Sequence, residues 1–306
     1  MADPKFSVVV PVFNSELSLR ELFHDILSAI ESSGDTVEVI LVDDGSTDRS
    51  WEVIRELKQA NPEKIIAITL SKNYGQHNAT LCGMGFAKGK FIFTLDDDLQ
   101  TPPEEMLKLI ERQKESNADL VYGIPESRQH SNFRKAGSLS LKKSSKLLHG
   151  TPGDGSSFRM IHADLVKKIM EHHQHFIFLD EILFWYTDDI VFTEVRHLPR
   201  KHNTSGYSIR KLIRMIANIL LFYTMIPLKI LVFGGFTVSL ITFVYGLYFI
   251  FKKLVFDVPL GYTSMIVTIL FSTSIILFSL GIIGEYLRRI YQIQNRKPPY
   301  SIRKVL

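Results

Sequence analysis

The chain has 306 residues, 45% of them hydrophobic, a formal net charge of +4 and a single cysteine, Cys82. One thiol excludes an internal disulfide and suits a reducing compartment, and the lack of a long basic run or an aromatic-rich motif argues against a nucleic-acid partner. The mean hydropathy of +0.08 averages a soluble part with a membrane part, because residues 230–284 are almost free of charge.

Met1–Lys5 is polar and the apolar run Val8–Val12 is too short for a signal-peptide core, so the amino-terminal part is not expected to be exported by that route. Phe6–Val12 reads as a first strand. Glu16–Ile30 follows as a helix, with apolar residues in helical period from Leu17 to Ile30. Val37–Val42 is a second strand, Ser50–Ala60 a helix and Ile65–Leu70 a third strand. A Gly-rich helix is expected around Gly83–Gly89, a fourth strand at Phe91–Leu95, a helix opened by Pro102 and Pro103, and a fifth strand at Asp119–Tyr122. Buried apolar runs alternating with helices predict an α/β domain with a mostly parallel, Rossmann-like sheet, whose ligands bind at the carboxyl ends of the strands.

Residues 125–160 read as loop and helix rich in Ser, Arg, Lys and Gly. Ser205–Tyr223 is a basic amphipathic segment in which Arg210, Lys211 and Arg214 alternate with Ile209, Leu212, Ile213, Ile216 and Ile219. A helix on the membrane surface is favoured over a solvated face, because two charge-free runs follow. Residues 230–251 and about 260–284 each exceed the ~20 residues that cross a bilayer, joined by the short link Lys252–Asp257. Arg210, Lys211, Arg214 and Lys229 precede this hairpin and Arg288, Arg289, Arg296, Lys297, Arg303 and Lys304 follow it. That excess places both ends in the cytoplasm, at an inner or plasma membrane. The expected organisation is an α/β domain 1–204, a juxtamembrane helix 205–227, a transmembrane hairpin 228–287 and a basic cytoplasmic tail 288–306.

Strand two ends in Val42-Asp43-Asp44-Gly45-Ser46-Thr47-Asp48. Asp43 and Asp44 face a ligand on this reading, while Thr47 or Asp48 caps the next helix. Strand four ends in Asp96-Asp97-Asp98-Leu99-Gln100. In an extended segment Asp96 and Asp98 point to one side and grip a divalent ion, Asp97 points away, and Gln100 adds a carbonyl oxygen. Mg²⁺ or Mn²⁺ suits such hard oxygen ligands, often one or two carboxylates plus substrate phosphates. His172, His173 and His175 form no metal signature and read as an exposed helix-end cluster.

Val10-Pro11-Val12-Phe13-Asn14, Val42-Asp43-Asp44-Gly45-Ser46 and Asp96-x-Asp98-Leu99-Gln100-x-Pro102-Pro103 together resemble glycosyltransferase family 2. Asn73-Tyr74-Gly75-Gln76-His77, Arg128-Gln129-x-Ser131-x-Phe133-Arg134-Lys135 and Gly281-x-x-Gly284-Glu285-Tyr286 narrow this to its polyprenyl-phosphate transferases, above all the undecaprenyl-phosphate aminoarabinose type. The resemblance covers essentially the whole chain. It implies a GT-A fold and inverting transfer from a nucleotide sugar, UDP-linked ahead of GDP-linked, to a polyprenyl phosphate at the membrane. It further implies a metal at Asp96 and Asp98, and nucleotide-sugar contacts from Pro11, Val12, Asn14, Asp43, Asp44, Asp96 and Asp97. Arg128, Arg134, Lys135, Arg200 and Ser205 are the implied phosphate contacts, and Asp98, Asp154 and Arg134 the catalytic set; a homo-oligomer is left open. Three positions depart from the pattern: Ser157 stands where an acid often precedes Phe-Arg, Gly206 replaces a lysine, and Asp180-Glu181 is an unexpected acidic pair. A processive polysaccharide synthase and a non-enzymatic scaffold are the competing readings.

Overall fold

In the computed structural model, residues 4–126, 156–171, 178–199, 261–294 and 298–306 are described, with scattered helical positions between 233 and 255. The chain divides into two compact units, 1–206 with 298–306, and 207–297.

The first unit is built on strands β1 (Phe6–Val12), β2 (Val37–Asp43), β3 (Ile65–Leu70), β4 (Phe91–Thr94), β5 (Leu120–Pro125), β6 (Arg159–His162), β7 (Ile190–Val195) and β8 (Ile302–Val305). They form one sheet in the order β7-β5-β6-β4-β1-β2-β3-β8. β6 and β8 run against the other six strands. Every residue of β1 and β2 is buried, as expected of central strands covered on both faces. Around the sheet lie α1 (Leu19–Glu31), α2 (Ser50–Ala60), α3 (Gln76–Met84), α4 (Met106–Ser116), α5 (Ala163–Met170) and α6 (Leu179–Tyr186). Pro102 precedes a short 3₁₀ turn, Pro103–Glu105, that leads into α4.

A proline in a central strand needs an explanation, since it cannot donate to the ladder. Val9 O accepts from Leu95 N on the β4 side and Val12 O accepts from Asp44 N on the β2 side. Alternation turns Pro11 toward β4, whose ladder with β1 has already ended at Val9↔Thr94. The missing donor therefore falls where the sheet opens. α3 lies close over the sheet because Gly83 has no side chain: a Cβ there would stand 2.4 Å from Val9 Cγ1.

Several expectations shift. The first helix begins at Leu19. The Gly-rich helix is α3, seven residues earlier than expected at its start, because Gly75 at φ +91° begins it and Gly85 caps it. β4 stops at Thr94, and β5 runs from Leu120 to Pro125. β6, β7 and β8 were not anticipated. β8 also corrects the basic tail: residues 302–305 pair antiparallel with β3, with Thr69 opposite Lys304.

In the second unit α7 spans Tyr262–Gln294, and Met265, Ile269, Phe271, Ile276, Phe278 and Leu280 on it are exposed. Among the described residues no helix is long and apolar enough to cross a membrane, so the fold by itself does not establish the two expected spans. The juxtamembrane segment 205–227 lies outside the described residues.

Gly45 has φ +71°, and a Cβ there would stand 2.8 Å from both Lys72 C and Asn73 N. The strained dihedral alone costs on the order of 1–3 kcal/mol for any other residue. Gly45→Ala should lower the Tm by roughly 5–10 °C, read by differential scanning fluorimetry in detergent. An unchanged Tm would show that the Lys72–Asn73 backbone yields freely.

Candidate active site

The loops after β1, β2, β3 and β4 enclose a cleft of about 200 Å³ at the carboxyl ends of the strands. Pro11, Val12 and Phe13 form one wall, Asn73, Gly75 and Gln76 another, and Asp44, Asp96, Asp97 and Asp98 complete it. Asp96 and Asp98 also line a smaller cavity of about 60 Å³ with Gln100, Ser157 and His197. No Lys or Arg is among the described residues lining either space.

The acids are not equivalent. Asp43 is buried and accepts from Ser46 N at 3.1 Å and Thr69 Oγ1 at 2.8 Å. Asp44 accepts from Tyr74 N at 2.7 Å and Gly75 N at 2.8 Å, so it pins the loop that leads into α3. Burial pushes the Asp44 carboxyl up to about 6 despite those two bonds. Asp97 accepts from Phe13 N at 2.9 Å and Ser15 Oγ at 2.6 Å, tying the β4 loop to the β1 loop. It too is pushed up to about 6, by burial first and by Asp96 and Asp98 in lesser part.

Asp96 and Asp98 are left toward the open space. Asp96 is held on one oxygen by Gln76 Nε2 and on the other by Ser157 Oγ at 2.6 Å. Asp98 accepts from Gln100 N at 3.1 Å. The segment is not extended as expected. It turns after Asp96, and Leu99 adopts φ +57° with its side chain buried in the core. Asp96 and Asp98 face the cleft, and Asp97, which also lines it, is tied to the β1 loop.

Gln100 takes a different part from that of a third metal ligand. Its backbone N–H holds Asp98, its carbonyl accepts from Leu198 N at 2.7 Å, and its Nε2 meets His197 Nε2 at 3.2 Å. It therefore clamps the segment after β7 to the acidic loop. Asn14 also differs from a nucleotide contact. At φ +54° its N–H donates to Ser46 Oγ and its Oδ1 accepts from Thr47 N at 2.8 Å, bridging two loops. Thr47 caps nothing, whereas Asp48 Oδ1 accepts from Ser50 N at 3.0 Å at the head of α2.

Asp43 and Asn14 thus stand behind the wall, while Pro11, Val12, Asp44, Asp96, Asp97 and Asp98 meet in the cleft. Arg128, Arg134, Lys135, Asp154, Arg200, Ser205, Gly206, His172, His173 and His175 lie outside the described residues. The sequence reading missed Gln76 and Ser157 as partners of Asp96, although both fall in stretches it singled out. It also gave no partner to Asp180, which pairs with buried Arg159.

Among the described residues no group of three or more His, Cys, Asp or Glu is set to hold a metal. The two carboxylates fit Mg²⁺ or Mn²⁺ all the same, because such ions take one or two carboxylates and complete their shell with water and phosphate. A cleft walled by acids admits a diphosphate only together with a cation.

Comparison with known proteins shows the family. The family description "Glycosyl transferase family 2" matches residues 7–182, and "GtrB C-terminal hairpin" matches residues 226–290. The undecaprenyl-phosphate 4-deoxy-4-formamido-L-arabinose transferase of Edwardsiella ictaluri is 32% identical over 98% of this chain and 94% of its own length. That of Pectobacterium atrosepticum is 34% identical over 98% and 93%. Among solved structures, glucosyl-3-phosphoglycerate synthase from Mycobacterium tuberculosis with Mn²⁺ and UDP-glucose is 16% identical, with TM-score 0.48 over 72% of this chain and 78% of that one.

A carboxyl raised on folding, as Asp44 is, contributes stability that is full below the unfolded value near 3.8 and is lost as pH rises through about 6. The wild type should therefore gain Tm relative to Asp44→Asn between pH 7.5 and 4.5, both measured without metal. A Tm difference flat across that window would contradict the buried carboxylate.

Proposed function

The chain belongs to glycosyl transferase family 2, and from that premise we propose that it transfers a sugar, with inversion, from a nucleoside diphosphate sugar to a polyprenyl phosphate at a membrane surface. The observation that carries this is the convergence of Asp96 and Asp98 on a cleft whose described walls carry no Lys or Arg.

The nucleotide, a UDP-sugar ahead of a GDP-sugar, would lie against Pro11, Val12 and Phe13, with the loop Asn73–Gln76 opposite. Asp44 holds that loop and Asp97 holds Phe13, so both act through the wall they shape. Asp96 and Asp98 would hold Mg²⁺ or Mn²⁺ against the diphosphate, and the ion would neutralise charge that develops there as the sugar departs. A phosphate oxygen of the lipid forms the new bond to the anomeric carbon as the bond from that carbon to the diphosphate oxygen breaks. A phosphomonoester has its second pKa at ~6, so it is largely dianionic at neutral pH and needs alignment more than a base. Arg128, Arg134, Lys135, Arg200 and Ser205 are proposed to align it, arginine because its planar fork matches phosphate oxygens. Asp154 is then a positioning group more than a proton acceptor.

Relatives named as undecaprenyl-phosphate transferases support the lipid acceptor. A further argument comes from connectivity. Residues 207–297 are an insertion whose two ends both belong to the first unit, so any membrane crossings between them are even in number. The charge-free runs 230–251 and about 260–284 would supply two, with a juxtamembrane helix at 205–227 and the catalytic domain cytoplasmic.

Asp98→Ala should abolish transfer from a UDP-sugar to undecaprenyl phosphate in detergent, while leaving expression and Tm near wild type. Wild-type transfer that persists with excess EDTA would end the metal assignment. For topology, Cys82 is buried, with its thiol pushed up to about 12, which makes it a poor thiolate nucleophile. A cysteine introduced by Asp257→Cys should therefore be the one site labelled by an impermeant maleimide added outside the plasma membrane of spheroplasts. Labelling that appears only after lysis would reverse the proposed orientation.

A further inference from the structure

Behind Asp96 runs a partly buried chain of polar groups that the transfer described above does not use. Arg159 opens β6 and is 2% exposed. Its Nη1 pairs with Asp180 Oδ1 at 2.5 Å, and Tyr122 donates to the same oxygen at 2.8 Å. Arg159 Nε donates to Thr94 Oγ1 at 3.0 Å. With its oxygen so engaged, Thr94 directs its own proton to the carbonyl of Ser157. Ser157 in turn donates its hydroxyl to Asp96 Oδ2 at 2.6 Å.

Each hydrogen in this chain has one direction. A guanidinium has only donors, so Thr94 must accept from it and can donate only onward. The serine carbonyl must accept, which leaves the serine hydroxyl to donate to the carboxylate. Ser157 sits in an irregular stretch just before β6, without a ladder to fix it, and these bonds replace one. The other Asp96 oxygen is held from α3 by Gln76, so the two grips together set the carboxylate plane.

A buried ion pair adds little net stability over an apolar pair of equal volume, so the Arg159–Asp180 pair is better explained by the geometry it imposes. Groups that orient metal ligands from behind typically change affinity 10–100-fold when removed.

We propose that Ser157, held in place by the Asp180–Arg159–Thr94 chain, is the positioning residue that orients Asp96 toward the divalent cation, and that Asp180 acts on metal affinity through that chain without touching substrate. This rests on the metal role given to Asp96 above. It also assigns a task to two departures from the family pattern, Ser157 and Asp180.

The test is Mn²⁺ binding to the full-length protein in detergent without nucleotide, with free Mn²⁺ read by electron paramagnetic resonance. Ser157→Ala should weaken binding roughly 10-fold or more with Tm within about 2 °C of wild type, and Ser157→Thr, which keeps the hydroxyl, should restore most of it. Asp180→Asn should weaken binding in the same direction. Turnover of Ser157→Ala should recover at saturating Mn²⁺, as expected for a defect in affinity. Ser157→Ala binding Mn²⁺ within twofold of wild type would overturn the inference, as would a wild type that binds no Mn²⁺. The expected loss of affinity in a protein that transfers no sugar would uphold it and sink only the proposed function.

Discussion

Like charge crowded at the carboxyl ends of β2 and β4, the two strands that flank β1, is the constraint around which the cleft is arranged. Asp43, Asp44, Asp96, Asp97 and Asp98 all fall there, and they cannot all face one space as bare anions. Three are absorbed by the protein's own donors. Asp43 takes Ser46 and Thr69, Asp44 takes two backbone N–H groups of the 74–75 loop, and Asp97 takes Phe13 and Ser15. Charge-assisted bonds of this kind are stronger than neutral ones. They fasten the four loops that wall the cleft, while Asp96, held by Gln76 and Ser157, and Asp98, held by the Gln100 N–H, face into it. The acids that look most like ligands in the sequence are thus partly the framework of the site.

Left-handed backbone recurs on the cleft loops. Asn14 and Leu99 have positive φ without being glycine, and Gly45 joins them on the neighbouring loop. For a bulky residue such as Leu99 this is uncommon and persists only where the surroundings over-determine it. Here the leucine side chain is anchored in the core and the Asp97 carboxylate is anchored to the β1 loop. Between two such anchors the chain has to turn, and the turn brings Asp98 back beside Asp96. The rigidity is bought locally, by two bonds and one buried side chain.

What the sequence disclosed follows from how local each signal is. β1, β2, β3 and α2 are continuous patterns, and they fall within a residue of where they were read. β6 is four residues long and runs directly into α5, so no period has room to develop. β8 is exposed along its length and pairs with a strand more than 230 residues away in sequence. α3 opens with Gln, His and Asn, which disguise its start. In the site, Asp96 and Asp98 were legible because their spacing survives the turn. The difference between Asp43 or Asp44 and those two was not, because it depends on Thr69, Tyr74 and Gly75 N–H or O–H groups contributed by β3 and the loop after it. Ser157 was legible as an oddity only; its meaning comes from Asp96, 61 residues earlier.

The return of the chain to β8 also governs how this protein can be cut. A catalytic fragment that stops at residue 206 would lose the strand that covers β3, where Ser71 N now donates to Ser301 O and Arg303 to Ser71 O. The exposed flank of a parallel sheet is a template for self-association, so such a fragment would carry an adhesive edge. The shortened form that the topology allows is an internal excision: residues 207–297 removed, and Gly206 joined to Pro298 by a flexible bridge, with the closing strand kept in the chain.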